Sequence, residues 1–174
     1  MRPRGGWHNA AMQATFAALA AFPAALEQHY ALFPRDRVHW APSSWDGVPS
    51  EAFTALEQVC HLRDIEIDGY QLRFRRTLDE DSPLLASLES ETIAVQRDYG
   101  RNDAREALDA FRAARAGTLT LLRGLDENQL RRRAVFEGYG PVTLRALVHY
   151  LCSHDQQHLA GLQWLLGKLE VQAA

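Results

Sequence analysis

The chain has only two cysteines in 174 residues, Cys60 and Cys152. That is too few for a disulfide scaffold and suits a reducing, cytoplasmic compartment. It also lacks a basic surplus: 19 Lys and Arg stand against 22 Asp and Glu, a net charge of -3. That argues against a nucleic-acid binder relying on a strongly basic surface, while leaving room for a local basic patch. No uninterrupted apolar run approaches the ~18 residues that span a bilayer, so no membrane partner is expected. Convincing alternating apolar–polar segments are missing too, as are internal repeats and, beyond an alanine bias near the start, low-complexity sequence.

What is present is helical periodicity. Hydrophobic residues at 47% are enough for one domain, residues 1–174, to bury a core without staples. Near the start, Met12, Phe16, Leu19, Phe22, Leu26, Tyr30 and Phe33 recur in steps of three and four. A signal-peptide core would be apolar on every side; this is one stripe of a working helix. The first helix is expected from Asn9 to Phe33, with Pro23 as a kink or restart and Pro34 as its end. The segment from Arg35 to Ser50 reads as a loop. Ser50 is then the expected N-cap of a second helix continuing to Thr77.

Asp79-Glu80-Asp81-Ser82-Pro83 breaks that helix, and one short helical piece is expected from Ile93 to Asp98. Asp103 and Glu106 have capping-box spacing and open a third long helix that stops at Gly124. Residues 131–140 read as a structured connection. Thr143 caps a fourth helix running to Lys168. Four long helices make an all-α, four-helix bundle with long connections.

The chemistry concentrates in His154-Asp155-Gln156-Gln157-His158. Residues four apart share one helix face, so both imidazoles can grip one metal ion. Leu147, Leu151, Leu162 and Leu165 lie on roughly that side, which turns the pair toward the interior, where polar groups need partners. A third ligand must come from another helix, and His61 is the best placed candidate. His149 projects away from the pair. His8, His29 and His39 belong to the tail, the end of helix one and a loop.

A histidine inside helix two, a long third helix, and Gly-Pro-Val-Thr-Leu leading into a helix with His-Asp-x-x-His resemble the DinB-like family. Its members include thiol-dependent S-transferases and isomerases. The similarity extends from Phe16 to Leu169, most tellingly at Gln58 to Asp64, Asp81 to Leu85 and Gly140 to Leu162. The resemblance implies a divalent metal held by His61, His154 and His158. It also implies a homodimer. Many relatives carry glutamine where this chain has Gly161, which could let a neighbouring helix or ligand approach.

Three neutral imidazoles leave a coordination position open to water or substrate, as a catalytic metal requires. Zinc and nickel both accept imidazole, and a carboxylate would favour manganese or iron. Glu57 and Asp64, one turn either side of His61, are candidates for that carboxylate or for a supporting hydrogen bond, against a plain reading as solvent-facing charges. Tyr150 is either a pocket donor or core. Cys60 and Cys152 point away from the ligands and read as core. Arg73, Arg75, Arg76 and Arg131 to Arg133 read as solvated faces, though one could hold an acidic thiol.

The expected function is a metal-dependent transferase joining a low-molecular-weight thiol to a small electrophile. The alternative is a non-catalytic, metal-pinned binding or oligomerisation module. A metallopeptidase fits less well: Asp155 is a methylene short of the usual glutamate base, and no strand is expected to hold an extended peptide. A di-iron carboxylate site fails because no histidine has glutamate three residues before it.

Overall fold

A computed structural model describes residues 5–173, with side chains described for residues 9–172. Helix α1 (Gly5–Tyr30) packs against the long C-terminal α7 (Leu144–Ala173) and against α5 (Ala104–Arg123). The second limb is one continuous rod of three parts: α2 (Ala55–Asp64), a π-helical turn (Ile65–Tyr70) and α3 (Gln71–Asp79). It packs on α5 and α7, completing the four-helix bundle. Short helices α4 (Ser90–Gln96) and α6 (Glu127–Leu130) sit in the connections.

Pro23 lies inside α1, which runs on through it without a restart. A proline has no N–H to offer the carbonyl four residues back, which is that of Leu19. Arg115 of α5 takes that carbonyl instead, donating to Leu19 O at 3.2 Å. The orphan acceptor is thus satisfied from a neighbouring helix. The segment Asn9–Tyr30 also reaches the length and composition of a membrane-spanning helix, at hydropathy 1.2, which the absence of long apolar runs had concealed. Alanines between the large residues raise the average, while Met12, Leu19, Phe22 and Leu26 are buried in the core.

The second limb starts later than the sequence suggests. Thr54, not Ser50, is the N-cap, in a capping box where Glu57 Oε2 accepts from Thr54 N and Oγ1, both at 2.8 Å. This leaves residues 50–53 outside the helix, as loop. The expected cap of α5 is present, with Asp103 Oδ1 accepting from Glu106 N at 2.9 Å. Thr143 caps α7 through Ala146 N at 3.2 Å.

Strands missed by the sequence reading form a small three-stranded sheet: β1 (Leu84–Leu85), β2 (Arg133–Phe136) and β3 (Gly140–Thr143). β1 runs parallel to β2, and β2 pairs antiparallel with β3 in a register from Arg133↔Thr143 to Phe136↔Gly140. Gly138 and Gly140 have φ of +80° and +78°, which the tight turn requires and other residues rarely adopt. Ala134 and Phe136 face the core while Arg133 and Val135 face out, so the alternation exists but lasts only four residues.

A polar layer cuts the core in two. On one side Leu19, Ile65, Leu119, Leu122, Leu147 and Leu151 pack with the sheet. On the other, Phe22, Leu26, Leu62, Leu108, Phe111, Leu162 and Leu165 form a second apolar cluster. Between them lie His61, Glu66, Arg115, Asp155 and His158, each at 1% exposure or less. Arg115 donates to Asp155 at 2.6 and 3.0 Å and to Glu66 at 2.9 Å. One guanidinium therefore holds two buried carboxylates from the π-helical turn and α7.

Candidate metal centre

His61 comes from α2, and His154 and His158 come from successive turns of α7. The structure brings all three together. His154 Nε2 lies 3.2 Å from His61 Nε2 and 3.1 Å from His158 Nε2. A fourth donor, which sequence reasoning missed, is Glu51. Its Oε1 is 3.6 Å from His61 Nε2 and its Oε2 is 3.2 Å from His158 Nε2. One ligand atom from each of the four residues falls within 4.8 Å of the others.

Those separations fit a metal ion. A tetrahedral ion with bonds of about 2.0–2.1 Å spaces its ligand atoms about 3.3 Å apart. Without a cation, three imidazole nitrogens and a carboxylate oxygen facing one point would crowd lone pairs in a buried place. Burial, and then repulsion from His158, lowers the His61 pKa to about 3. Burial followed by the charges of His158 and His61 likewise lowers His154 well below 6.5. Both rings therefore stay neutral at pH 7, the state in which imidazole ligates metal. Burial pushes the Glu51 carboxyl up, but the hydrogen bond and charge of His158, with His61, outweigh it and hold Glu51 well below its ordinary range. The donor set is three imidazole nitrogens and one carboxylate.

Second contacts hold the rings. His158 Nδ1 is hydrogen-bonded to Gln58 Oε1. Phe53 packs on His61 with centroids 5.2 Å apart, and Tyr70, from the π-helical turn, lies 6.2 Å from His154. A π turn inserts an extra residue into the rod. Glu66 in that turn faces Arg115 while Tyr70 packs beside His154. His154 Nδ1 is buried with no hydrogen-bond partner among the described residues.

The other sequence candidates fall elsewhere. Glu57 is occupied in the capping box with Thr54. Asp64 is tied to Arg63 at 2.7 Å, Tyr99 Oη at 2.7 Å and Arg97 at 2.9 Å. Neither completes the ligand group, and neither is a plain solvent-facing charge. Tyr150 packs beside Tyr139 at 4.9 Å, against the core. His149 bonds Thr15 on α1 at 2.9 Å, His29 bonds Ala25 O at 2.8 Å, and His39 is exposed. The side chain of His8 lies outside the described residues.

Cys60 is fully buried, and burial pushes its thiol up to about 11, so it stays protonated within the core. Arg73 overturns the reading of a solvated face: it is 6% exposed, donates to Ala86 O at 3.0 Å and lies over the Tyr70 and Phe136 rings. Its stem and planar head fill the gap between α3 and the sheet. Arg132 also departs from that reading, donating to Thr77 O and Glu80 O at 2.7 and 2.6 Å. Asp155, one position from a ligand, turns away from the site onto Arg115, so it cannot be a peptidase base.

None of the curated proteins matches the chain significantly. Among solved structures, the chain is similar to YfiT of Bacillus subtilis, described as a probable metal-dependent hydrolase with an unusual four-helix bundle topology. The match has a TM-score of 0.77 at 21% identity, covering 98% of this chain and 94% of that one, and it shows the shared fold. The sequence profile of the DinB superfamily matches residues 9–162, and the chain belongs to that superfamily.

Proposed function

We propose that the protein is a metal-dependent enzyme that activates a small nucleophile, a low-molecular-weight thiol, for transfer onto a small electrophile. The observation that carries this reading is the asymmetry of the donor group. His61 and His158 are at most 1% exposed, whereas the Glu51 side chain is 37% exposed and sits on a loop. Three ring nitrogens form a fixed base, and the carboxylate is the member able to swing aside.

His61, His154 and His158 would hold a divalent ion with Glu51 beside the open position, and the ion would supply Lewis acidity that acidifies a thiol or water there. Glu51, ionised and beside that position, accepts the proton of the nucleophile. The nucleophile then attacks the electrophilic carbon as the leaving group departs, and Glu51 returns the proton to the leaving group. The net change is thiol plus electrophile to thioether plus protonated leaving group. The apolar walls, Phe53 and Tyr70, limit water near the reacting atoms.

Glu51 also favours a second reading, in which water replaces the thiol and the reaction is a hydrolysis. A carboxylate beside a metal position suits water activation equally well. The description of YfiT points the same way. A non-catalytic structural site would need Glu51 to stay bound, closing the shell with four protein ligands.

Zinc or nickel is the proposed ion, and the carboxylate brings manganese and iron into the set. A homodimer and a cytoplasmic setting belong to the same proposal, supported by family resemblance and cysteine usage. Metal analysis of untagged protein, with His61→Ala and His158→Ala variants, tests the site: one bound ion is expected in the parent and none in either variant. Turnover assays with small thiols and electrophiles then separate the two reactions. A fully loaded protein inactive toward both, with Glu51→Gln losing metal outright, would favour the structural pin.

A further inference from the structure

We propose that Gln58 is the positioning residue that couples His158 to the Glu51 loop, fixing the ring's tautomer with one end of its amide and the loop with the other. The proposal rests on the metal reading above.

Gln58 lies on α2 one turn before His61 and is 0% exposed. Its Nε2 reaches three oxygens, all from the loop: Ser50 Oγ at 3.0 Å, Glu51 O at 3.3 Å and Phe53 O at 3.2 Å. Ser50 Oγ donates its own proton to Glu51 O at 3.2 Å, so toward Gln58 it is an acceptor. Three acceptors around one end of the amide identify that end as the NH2 group. The carbonyl Oε1 must then face His158 Nδ1. A carbonyl cannot donate, so Nδ1 carries a proton, and Nε2 is the nitrogen that faces the other three ligand atoms. The side chain that sets the tautomer of a ligand from α7 thus also holds the Ser50 hydroxyl and the carbonyls of Glu51 and Phe53, the loop that bears the carboxylate.

Gly161 makes the bridge possible. A Cβ at that position would come within 2.3 Å of Ser50 Oγ and 3.2 Å of Gln58 Nε2. Any larger residue one turn after His158 would push Ser50 away and break the bridge. Loop, α2 and α7 meet at this one amide.

Hydrogen-bond partners of metal ligands typically change metal affinity 10- to 100-fold. The test is zinc affinity by competition with a chromophoric chelator, across Gln58→Met, Gln58→Glu, Glu51→Gln and the double variants. Imidazole 15N shifts of the zinc-free protein report the His158 tautomer. In Gln58→Met, zinc binding should weaken 10- to 100-fold, and His158 should lose its single tautomer. In Gln58→Glu the acceptor for Nδ1–H remains, so the tautomer should survive, while the amide donor to the loop oxygens is lost. In either background, adding Glu51→Gln should have less than a third of the effect it has in the parent.

Independent, multiplying effects of the two positions would overturn the coupling. So would zinc affinity within twofold of the parent in folded Gln58→Met, or an unaltered tautomer there. If Gln58→Met does not fold, Gln58→Glu carries the coupling test. A parent that binds no zinc, nickel, manganese or iron sinks the metal reading itself. A parent that binds metal with variants indistinguishable from it sinks only the role of Gln58.

Discussion

Replacing Arg115 by methionine should cost more stability than any surface change, and the structure sets the size of the loss. Methionine keeps most of the volume between Phe22 and Phe111, whose rings lie 5.7 and 5.0 Å from the guanidinium carbon. What disappears is the charge and its bonds to Asp155, Glu66 and the Leu19 carbonyl freed by Pro23. Two carboxylates at 0 and 1% exposure are then left without a counter-ion. Removing one partner of a buried ion pair costs about 3–5 kcal/mol, because the remaining charge is uncompensated. For a chain of this size each kcal/mol is worth about 2–4 °C, so Tm should fall by about 6–20 °C. Urea unfolding followed by circular dichroism measures this directly, on metal-free protein so that ligation does not contribute. Adding Asp155→Asn and Glu66→Gln should recover most of the loss, since an uncharged layer needs no counter-ion. A single variant within about 1 kcal/mol of the parent would refute the reasoning. A triple variant no better than the single would show that packing, not charge, was lost.

Gly161→Ala should destabilise by about 1–3 kcal/mol through overpacking against Ser50, read as a lower urea midpoint at unchanged slope. Thr54→Ala removes the capping box and should cost about 1 kcal/mol by the same measurement. The histidines predict a pH dependence in metal-free protein. Their pKa values are lowered on folding, so between about pH 6.5 and the folded values the unfolded chain binds more protons. The stability they contribute is complete above pH 6.5 and is lost as pH falls. Burial raises Asp155 to about 7 against the pull of Arg115, which acts with the opposite sign, removing stability as pH rises from about 4 to 7. Comparing the parent with a His61→Gln/His154→Gln variant cancels that contribution. Between pH 6.5 and 4 the parent should lose at least about 1 kcal/mol more than the variant, and equal losses would refute the assignment.

The four limbs were legible because each long helix repeats its apolar residues every three or four positions, and Asp103, Gly124 and Thr143 mark their ends by local chemistry. The small sheet was not, because four residues of alternation between arginines and glycines are too few to stand out from a turn. The polar layer was hidden for a different reason. Arg73 and Arg115 look like surface charges in sequence, and only the neighbours brought by other elements show them buried. Arg115 needs two carboxylates from two different elements, and Pro23 contributes by freeing a carbonyl on a third.

Within the candidate site, the histidines and the glutamate differ in legibility for a physical reason. His154 and His158 are fixed relative to each other by one helix, so their spacing alone places them on one face. His61 needs the packing of α2 on α7, which the apolar stripes imply only loosely. Glu51 belongs to no period at all. It reaches the site because Thr54 and Glu57 start α2 four residues later than Ser50 would have done, leaving residues 50–53 as loop. The Thr54-x-x-Glu57 pattern was the available signal: a capping box there forces the preceding acidic residue off the helix. The half-exposed Glu51 side chain has room to leave the site, while the buried rings of His61 and His158 do not. The donor hardest to read from the sequence is therefore the one on which a choice between an open, reactive metal and a closed, structural one depends.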